Sequence, residues 1–146
     1  MHKKGTIYWF TGQSGVGKTV LANKLKDFLQ TQKRNWRKDV FLIDFEHHSQ
    51  LGEAQIISTF LSENNCDVVV AMTDISKKHR EEFKSLIGDN ILEIYVHSNR
   101  KKVKDLPKID AYEPPTENFF NLDTTSDNST HSFTKLIHYL KESNKL

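Results

Sequence analysis

With a single cysteine, Cys66, the chain cannot close an internal disulfide, so a packed core has to supply its stability and a reducing, cytoplasmic setting is expected. Cys66 stands just before an apolar run, where a buried inert thiol is favoured over a nucleophile. Net charge is nearly absent as well: Lys and Arg total 21 against 19 Asp and Glu, a balance of +2. Without a basic face, the chain is not a dedicated nucleic-acid binder, because such binding rests on neutralising phosphates. Anionic small molecules are not excluded. No apolar run approaches the ~20 residues of a membrane span. Met1 to Lys4 leads at once into a short strand rather than into an apolar leader with a cleavage site, so a soluble, cytoplasmic protein without a membrane partner is expected. There is no internal repeat, and 146 residues fit one domain, 1–146, with no room for a separate substrate domain.

Glycine is scarce too, with six in the chain, yet Gly12, Gly15 and Gly17 fall in one short stretch. Gly12-Gln13-Ser14-Gly15-Val16-Gly17-Lys18-Thr19 fits G-x-x-x-x-G-K-[ST], the phosphate-binding P-loop. The loop has to turn backbone N–H groups inward around a polyphosphate, in conformations that a Cβ obstructs. Lys18 is then placed to supply positive charge to the β and γ phosphates of a nucleotide, and the Thr19 hydroxyl to hold Mg²⁺ at a helix N-terminus. The motif needs a strand before it and a helix after it. Ile7 to Thr11 reads as a buried parallel strand, and Thr19 to Lys33 as a helix with Leu21, Leu25, Phe28 and Leu29 on one stripe.

Further strands are expected at Val40–Ile43, Asp67–Met72, Ile91–Val96 and Phe119–Leu122, alternating with helices at about 53–63, 76–87 and a terminal one carrying Phe133, Leu136, Ile137 and Leu140. In the 53–63 helix Ala54, Ile57 and Leu61, with Ile56 and Phe60 alongside, form the apolar set. In the 76–87 helix Phe83, Leu86 and Ile87 face inward, and Lys77, Lys78, Arg80, Glu81 and Glu82 mostly outward. Trp36, in the charged connection 34–39, is expected to pack against a helix end. The alternation predicts an α/β fold: a five-stranded, mainly parallel sheet with helices on both faces.

Strand two ends in Asp44-Phe45-Glu46, at the carboxyl edge where open α/β sheets place ligands. Two residues apart on extended backbone, Asp44 and Glu46 share a side and suit an Mg²⁺ ligand and a base for an acceptor hydroxyl, with a solvated acidic loop as the plainer alternative. His47 and His48 adjoin them without a third spaced metal ligand, so polar loop or substrate contacts are favoured. Asp74, after strand three, suits either Mg²⁺ contact or a helix cap. The segment of about 100–118, opening with Arg100-Lys101-Lys102 and Lys104 and holding all three prolines, has loop composition. It is read as a short lid whose cations, Arg100 first, reach the nucleotide phosphates; an ordinary basic loop is the alternative.

The opening Ile7 to Thr19, continuing through Leu21-Ala22-Asn23-Lys24-Leu25, resembles that of adenylylsulfate kinases, which phosphorylate the 3′-hydroxyl of adenosine 5′-phosphosulfate with ATP. Val40 to Glu46 resembles their second strand and Asp-Gly-Asp signature. Ile109-Asp110 and Tyr112-Glu113-Pro114-Pro115 resemble their Ile-Asp-Ser-Pro-Tyr-Glu-x-Pro lid segment. The resemblance implies a P-loop NTPase fold, ATP and Mg²⁺ as cofactors, Glu46 at the general-base position and Asp44 at the first aspartate. Departures fall on the acceptor side. Phe45 replaces the family's glycine, Ser49 an arginine and Asp74 a serine, while the shortened stretch from Gln50 to Asp67 has no Lys or Arg.

The resulting expectation is an ATP-dependent phosphotransferase. Lys18, Glu46 and Asp44 carry the chemistry. Gly12, Gln13, Ser14, Gly15, Val16, Gly17, Lys18, Thr19 and Arg100 bind the nucleotide, and Thr19 and Asp44 hold the metal. The partner is a small anionic acceptor, a nucleotide by the resemblance, and a homodimer stays open. The alternatives are a kinase of the same family acting on another nucleotide-linked or sugar-like hydroxyl, and a nucleotide-binding protein without turnover.

Overall fold

Apolar runs of five to seven residues build the sheet: β1 (Ile7–Thr11), β2 (Val40–Phe45), β3 (Asp67–Met72), β4 (Ile91–His97) and β5 (Phe119–Asp123). They come from a computed structural model that describes residues 4–13, 15–32, 39–45, 48–73, 75–99, 112–125 and 128–145. All pairings are parallel, in the order β2-β3-β1-β4-β5. The central strands β1 and β3 are buried along their whole length, in keeping with their nearly continuous apolar sequences. Edge strand β2 is only partly covered, with Val40 and Ile43 buried and Phe41 exposed.

Among the described residues four helices cover the two faces: α1 (Lys18–Thr31), α2 (Leu51–Glu63), α3 (Lys77–Ile87) and α4 (Ser129–Glu142). Leu21, Leu25 and Leu29 of α1 and Leu136 and Leu140 of α4 pack on Tyr8, Phe10, Val69, Ala71 and Ile94. On the opposite face Ala54 of α2 and Phe83 of α3 pack on Ile7, Trp9, Ile43, Val70 and Met72. Trp9 and Phe83 meet edge to face at 5.3 Å. Among the described residues no helix is long and apolar enough to cross a membrane.

Two helix faces differ from the sequence expectation. In α2 the buried residues are the small ones, Ala54, Ser58 and Ser62, while Ile56 and Phe60 are 73% and 64% exposed. Small side chains let the helix approach closely enough for Ser62 Oγ to donate to the Gly5 carbonyl at 2.7 Å, and the Gly5 N–H returns a bond to the Ser62 carbonyl at 2.8 Å. In α3 Phe83 is buried but Leu86 is 77% exposed, and Arg80, expected outside, is fully buried, with Lys84 buried beside it except for a small part. The reason is Glu93, on β4 beneath the helix, which pairs with Arg80 at 3.3 Å and Lys84 at 2.8 Å. A buried carboxylate draws cations inward, and the helix rotates Leu86 out.

Cys66 is half-buried rather than buried. Its thiol is pushed up by burial and then by Asp39 and Asp67, which keeps it in the unreactive protonated form. Ser76 takes the N-cap of α3, accepting from the His79 N–H at 3.3 Å, so the capping role considered for Asp74 is filled. Trp36, His47 and Asp74 lie outside the described residues, as does the lid segment up to residue 111.

Candidate active site

β1 delivers the chain to Gly12 at the carboxyl edge of the sheet, and the P-loop follows from how little space it finds there. Gly12 has φ +136°, and a Cβ on it would lie 2.1 Å from the Val96 carbonyl oxygen of β4, so no other residue fits without moving backbone. Gly17, at φ +99°, forms the N-cap of α1 and contributes no side-chain cap. The first turn of α1 carries no acidic residue, so no carboxylate there competes with an anion for the positive end of its dipole.

Lys18 is buried, 6% exposed. Its ammonium donates to the carbonyls of Gly12 at 2.9 Å and Gln13 at 2.5 Å, which brings the cation back across the loop it follows. Thr19 is exposed in the same first turn. Asp44 is exposed on β2, level with Ala71 of β3, which in turn is level with Phe10 of β1. Ile43 and Phe45 pack into the α2/α3 layer, so alternation puts Asp44 on the α1 side of the sheet, the side that carries Thr19. Two strand spacings, about 9–10 Å, separate β2 from β1.

Hydroxyl and carboxylate oxygens are the hard donors that Mg²⁺ takes, and this ion is usually held by one or two protein groups plus phosphates and water. The Thr19 hydroxyl and the Asp44 carboxylate are donors of this kind, and both residues are exposed, so the donor set suits Mg²⁺ brought in with a nucleotide. Ser14, Glu46 and Arg100 lie outside the described residues. So does the His48 side chain, although its backbone opens the 3-10 turn His48–Gln50 that leads into α2.

Thr124, which follows β5 at the same carboxyl edge of the sheet, braces the loop. Its N–H donates to the His97 carbonyl at 2.8 Å, and its hydroxyl is within reach of the carbonyls of Val16 at 3.1 Å and His97 at 3.2 Å. The only signal in sequence is a hydroxyl residue directly after β5. Thr124→Val keeps the volume and removes the bond to Val16, which should cost ~1–2 kcal/mol in urea unfolding and weaken nucleotide binding. Unchanged stability would show that the hydroxyl does not brace the loop. Beside it, Val16, Gly17, Val20, Thr124, Ser129 and Ser132 line a pocket of about 200 Å³. The Ser132 hydroxyl, fully buried there, has no hydrogen-bond partner among the described residues.

A family model described as "Nephrocystin 3, N-terminal" matches residues 1–109. The adenylyl-sulfate kinase of Halothermothrix orenii is 23% identical over 171 residues, covering 97% of this chain and 92% of that one. The probable adenylyl-sulfate kinase of Aeropyrum pernix is 28% identical over 174 residues, covering 95% and 94%. The hexameric APS kinase from Thiobacillus denitrificans superposes with a TM-score of 0.79 at 19% identity, over 99% of this chain and 30% of that one. The last likeness is one of fold, and the fold is that of a P-loop kinase.

Proposed function

The chain belongs to the family described as Nephrocystin 3, N-terminal, and along nearly its whole length it is a relative of the adenylyl-sulfate kinases; from this footing we propose that it transfers the γ-phosphate of ATP to the 3′-hydroxyl of adenosine 5′-phosphosulfate. The observation that carries the phosphotransfer reading is the Lys18 ammonium held across the P-loop by the carbonyls of Gly12 and Gln13.

In this reading the N–H groups of the P-loop and of the first turn of α1 hold the β and γ phosphates, and Lys18 neutralises charge that builds up as the phosphoryl group leaves. Thr19 and Asp44 would hold Mg²⁺, which would supply positive charge to offset that of the phosphates. The pocket beside Val20 and Thr124 takes the donor nucleoside, with the Ser132 hydroxyl as a polar contact at its floor. Glu46, one residue beyond the end of β2, accepts the acceptor's proton, and Arg100 reaches the nucleotide phosphates from the lid. The whole chain, 1–146, works as one kinase domain.

Acceptor choice is the finer part of the proposal. Ser49 stands where the resemblance places an arginine, and residues 50–67 hold no cation. Each lost charge-assisted contact to a phosphosulfate is worth about 1.5–3 kcal/mol. These losses favour, as the second reading, a related kinase whose acceptor is another nucleotide-linked or sugar-like hydroxyl compound. The test is ADP release with Mg²⁺ and ATP, with and without adenosine 5′-phosphosulfate, while the 3′-phosphorylated product is followed. Saturable product supports the first reading. ATP binding without that product removes it and leaves a remodelled acceptor site or a binder without turnover.

A further inference from the structure

Glu93 is a carboxylate in the middle of an apolar strand, fully buried, and all its contacts lead to chain segments that flank the site. One oxygen accepts from the Thr11 hydroxyl at 2.6 Å, and Thr11 is the residue directly before Gly12 of the P-loop. The same oxygen lies 3.3 Å from Arg80 Nε, and the other accepts from Lys84 Nζ at 2.8 Å. The two cations then reach past Glu93. Arg80 donates to the Ile75 carbonyl at 2.7 Å and to the Glu113 carbonyl at 2.5 Å, while Lys84 donates to the Glu117 carbonyl at 2.8 Å. Lys84 also meets the partly exposed Glu81 at 3.3 Å. The Arg80 guanidinium lies 4.9 Å from the centre of the Tyr112 ring, which stacks at 7° on Tyr95.

This arrangement is costly to bury, and an apolar core of equal volume is often as stable or more so. What an apolar core cannot do is hold named atoms in register. Thr11 is reached across 82 positions of sequence, and residues 113 and 117 across 33 positions from Arg80 and Lys84. One carboxylate thereby fixes both the residue from which the P-loop springs and the backbone of residues 112–117. Thr11 and Lys84 donate to its two oxygens and Arg80 pairs with it, so the Glu93 carboxylate is held from three sides.

We propose that Glu93 is a positioning residue: through Thr11 on one oxygen and Arg80 and Lys84 around it, it couples nucleotide binding at the P-loop to the ordering of segment 112–117. What the P-loop binds is taken from the kinase reading above. Holding Thr11 aligns Gly12 against the Val96 carbonyl, where its φ of +136° leaves little tolerance for displacement. A bound polyphosphate that fixes the loop therefore also fixes Glu93, and with it the cations that hold the carbonyls of 113 and 117.

Glu93→Gln is the direct variant but risks misfolding, so the test uses three milder ones in the full chain: Thr11→Val, Thr11→Ser and Lys84→Met. The readouts are MgATP affinity by titration and backbone amide exchange of residues 112–119, with and without MgATP. Thr11→Val is expected to bind MgATP about tenfold more weakly, the loss of one hydrogen bond to a charged group, while Thr11→Ser, which keeps the hydroxyl, stays near the wild type. In the wild type MgATP slows exchange at 112–119. Lys84→Met exchanges there faster without nucleotide and loses most of the slowing by it. A purely structural cross-link would lower thermal stability in Thr11→Val yet leave affinity and MgATP-induced slowing intact, and that result would overturn the proposal. Slowed exchange with no phosphorylated product from any acceptor would support the coupling and sink the kinase reading alone. A wild-type chain that does not bind MgATP would overturn both.

Discussion

Glu46→Gln is expected to lower phosphoryl transfer about 10²–10⁴-fold while MgATP binds as in the unaltered chain. The amide keeps the shape of the carboxylate but cannot take up the acceptor's proton, so a base is removed and little else. β2 stays in register with β3 as far as Phe45, at the edge where open α/β sheets place ligands, and Glu46 is the next residue in sequence. Initial rates of product formation measure the effect, with nucleotide titration as the control. A variant that keeps its full rate would remove Glu46 as the base. Activity recovered in Glu46→Asp would support a carboxylate role, since the resemblance places an aspartate at this position.

Lys18→Ala should act on both quantities. Transfer should fall about 10²–10³-fold, the usual loss when one preorganised donor to developing charge is removed, and MgATP should bind more weakly because Lys18 also meets the ground-state phosphates. In the chain itself the substitution deprives the Gly12 and Gln13 carbonyls of a charged donor. Some stability, ~1–3 kcal/mol, is lost with it, so rates have to be compared well below the unfolding temperature. Equal catalysis by Lys18→Ala and the unaltered chain would exclude phosphotransfer at this P-loop. The two variants divide the mechanism: one changes rate alone, the other rate and binding together.

Motif and elements were legible in sequence where the physics is local. A Gly-rich loop, Lys18 and Thr19 are specified within eight residues, and strands and helices follow from apolar runs and periodicity. β1 and β3 have the bounds that their apolar runs suggest, and α1 begins at Lys18, one residue before the sequence estimate. The faces of α2 and α3 were not legible. Ile56 and Phe60 satisfy a helical apolar pattern, but close approach to the sheet is possible only over Ala54, Ser58 and Ser62, and that preference depends on a sheet the pattern does not contain. Arg80 reads as one of five solvated charges until Glu93 comes to lie beneath it.

By itself, then, the sequence determined that a glycine-rich loop with one cation and one hydroxyl at fixed spacing opens α1, and the expectation of a polyphosphate there rests on that local pattern. It also determined the order of strands and helices along the chain, since hydrophobic period is a property of neighbours. Only the tertiary structure decided what steadies the loop. Thr124 lies 108 positions from Val16 and Glu93 lies 82 from Thr11, and each of these polar groups is tolerable in the interior only because its partner arrives there too. Whether a buried charge or hydroxyl has a partner depends on where separate elements meet, and no local pattern carries that information.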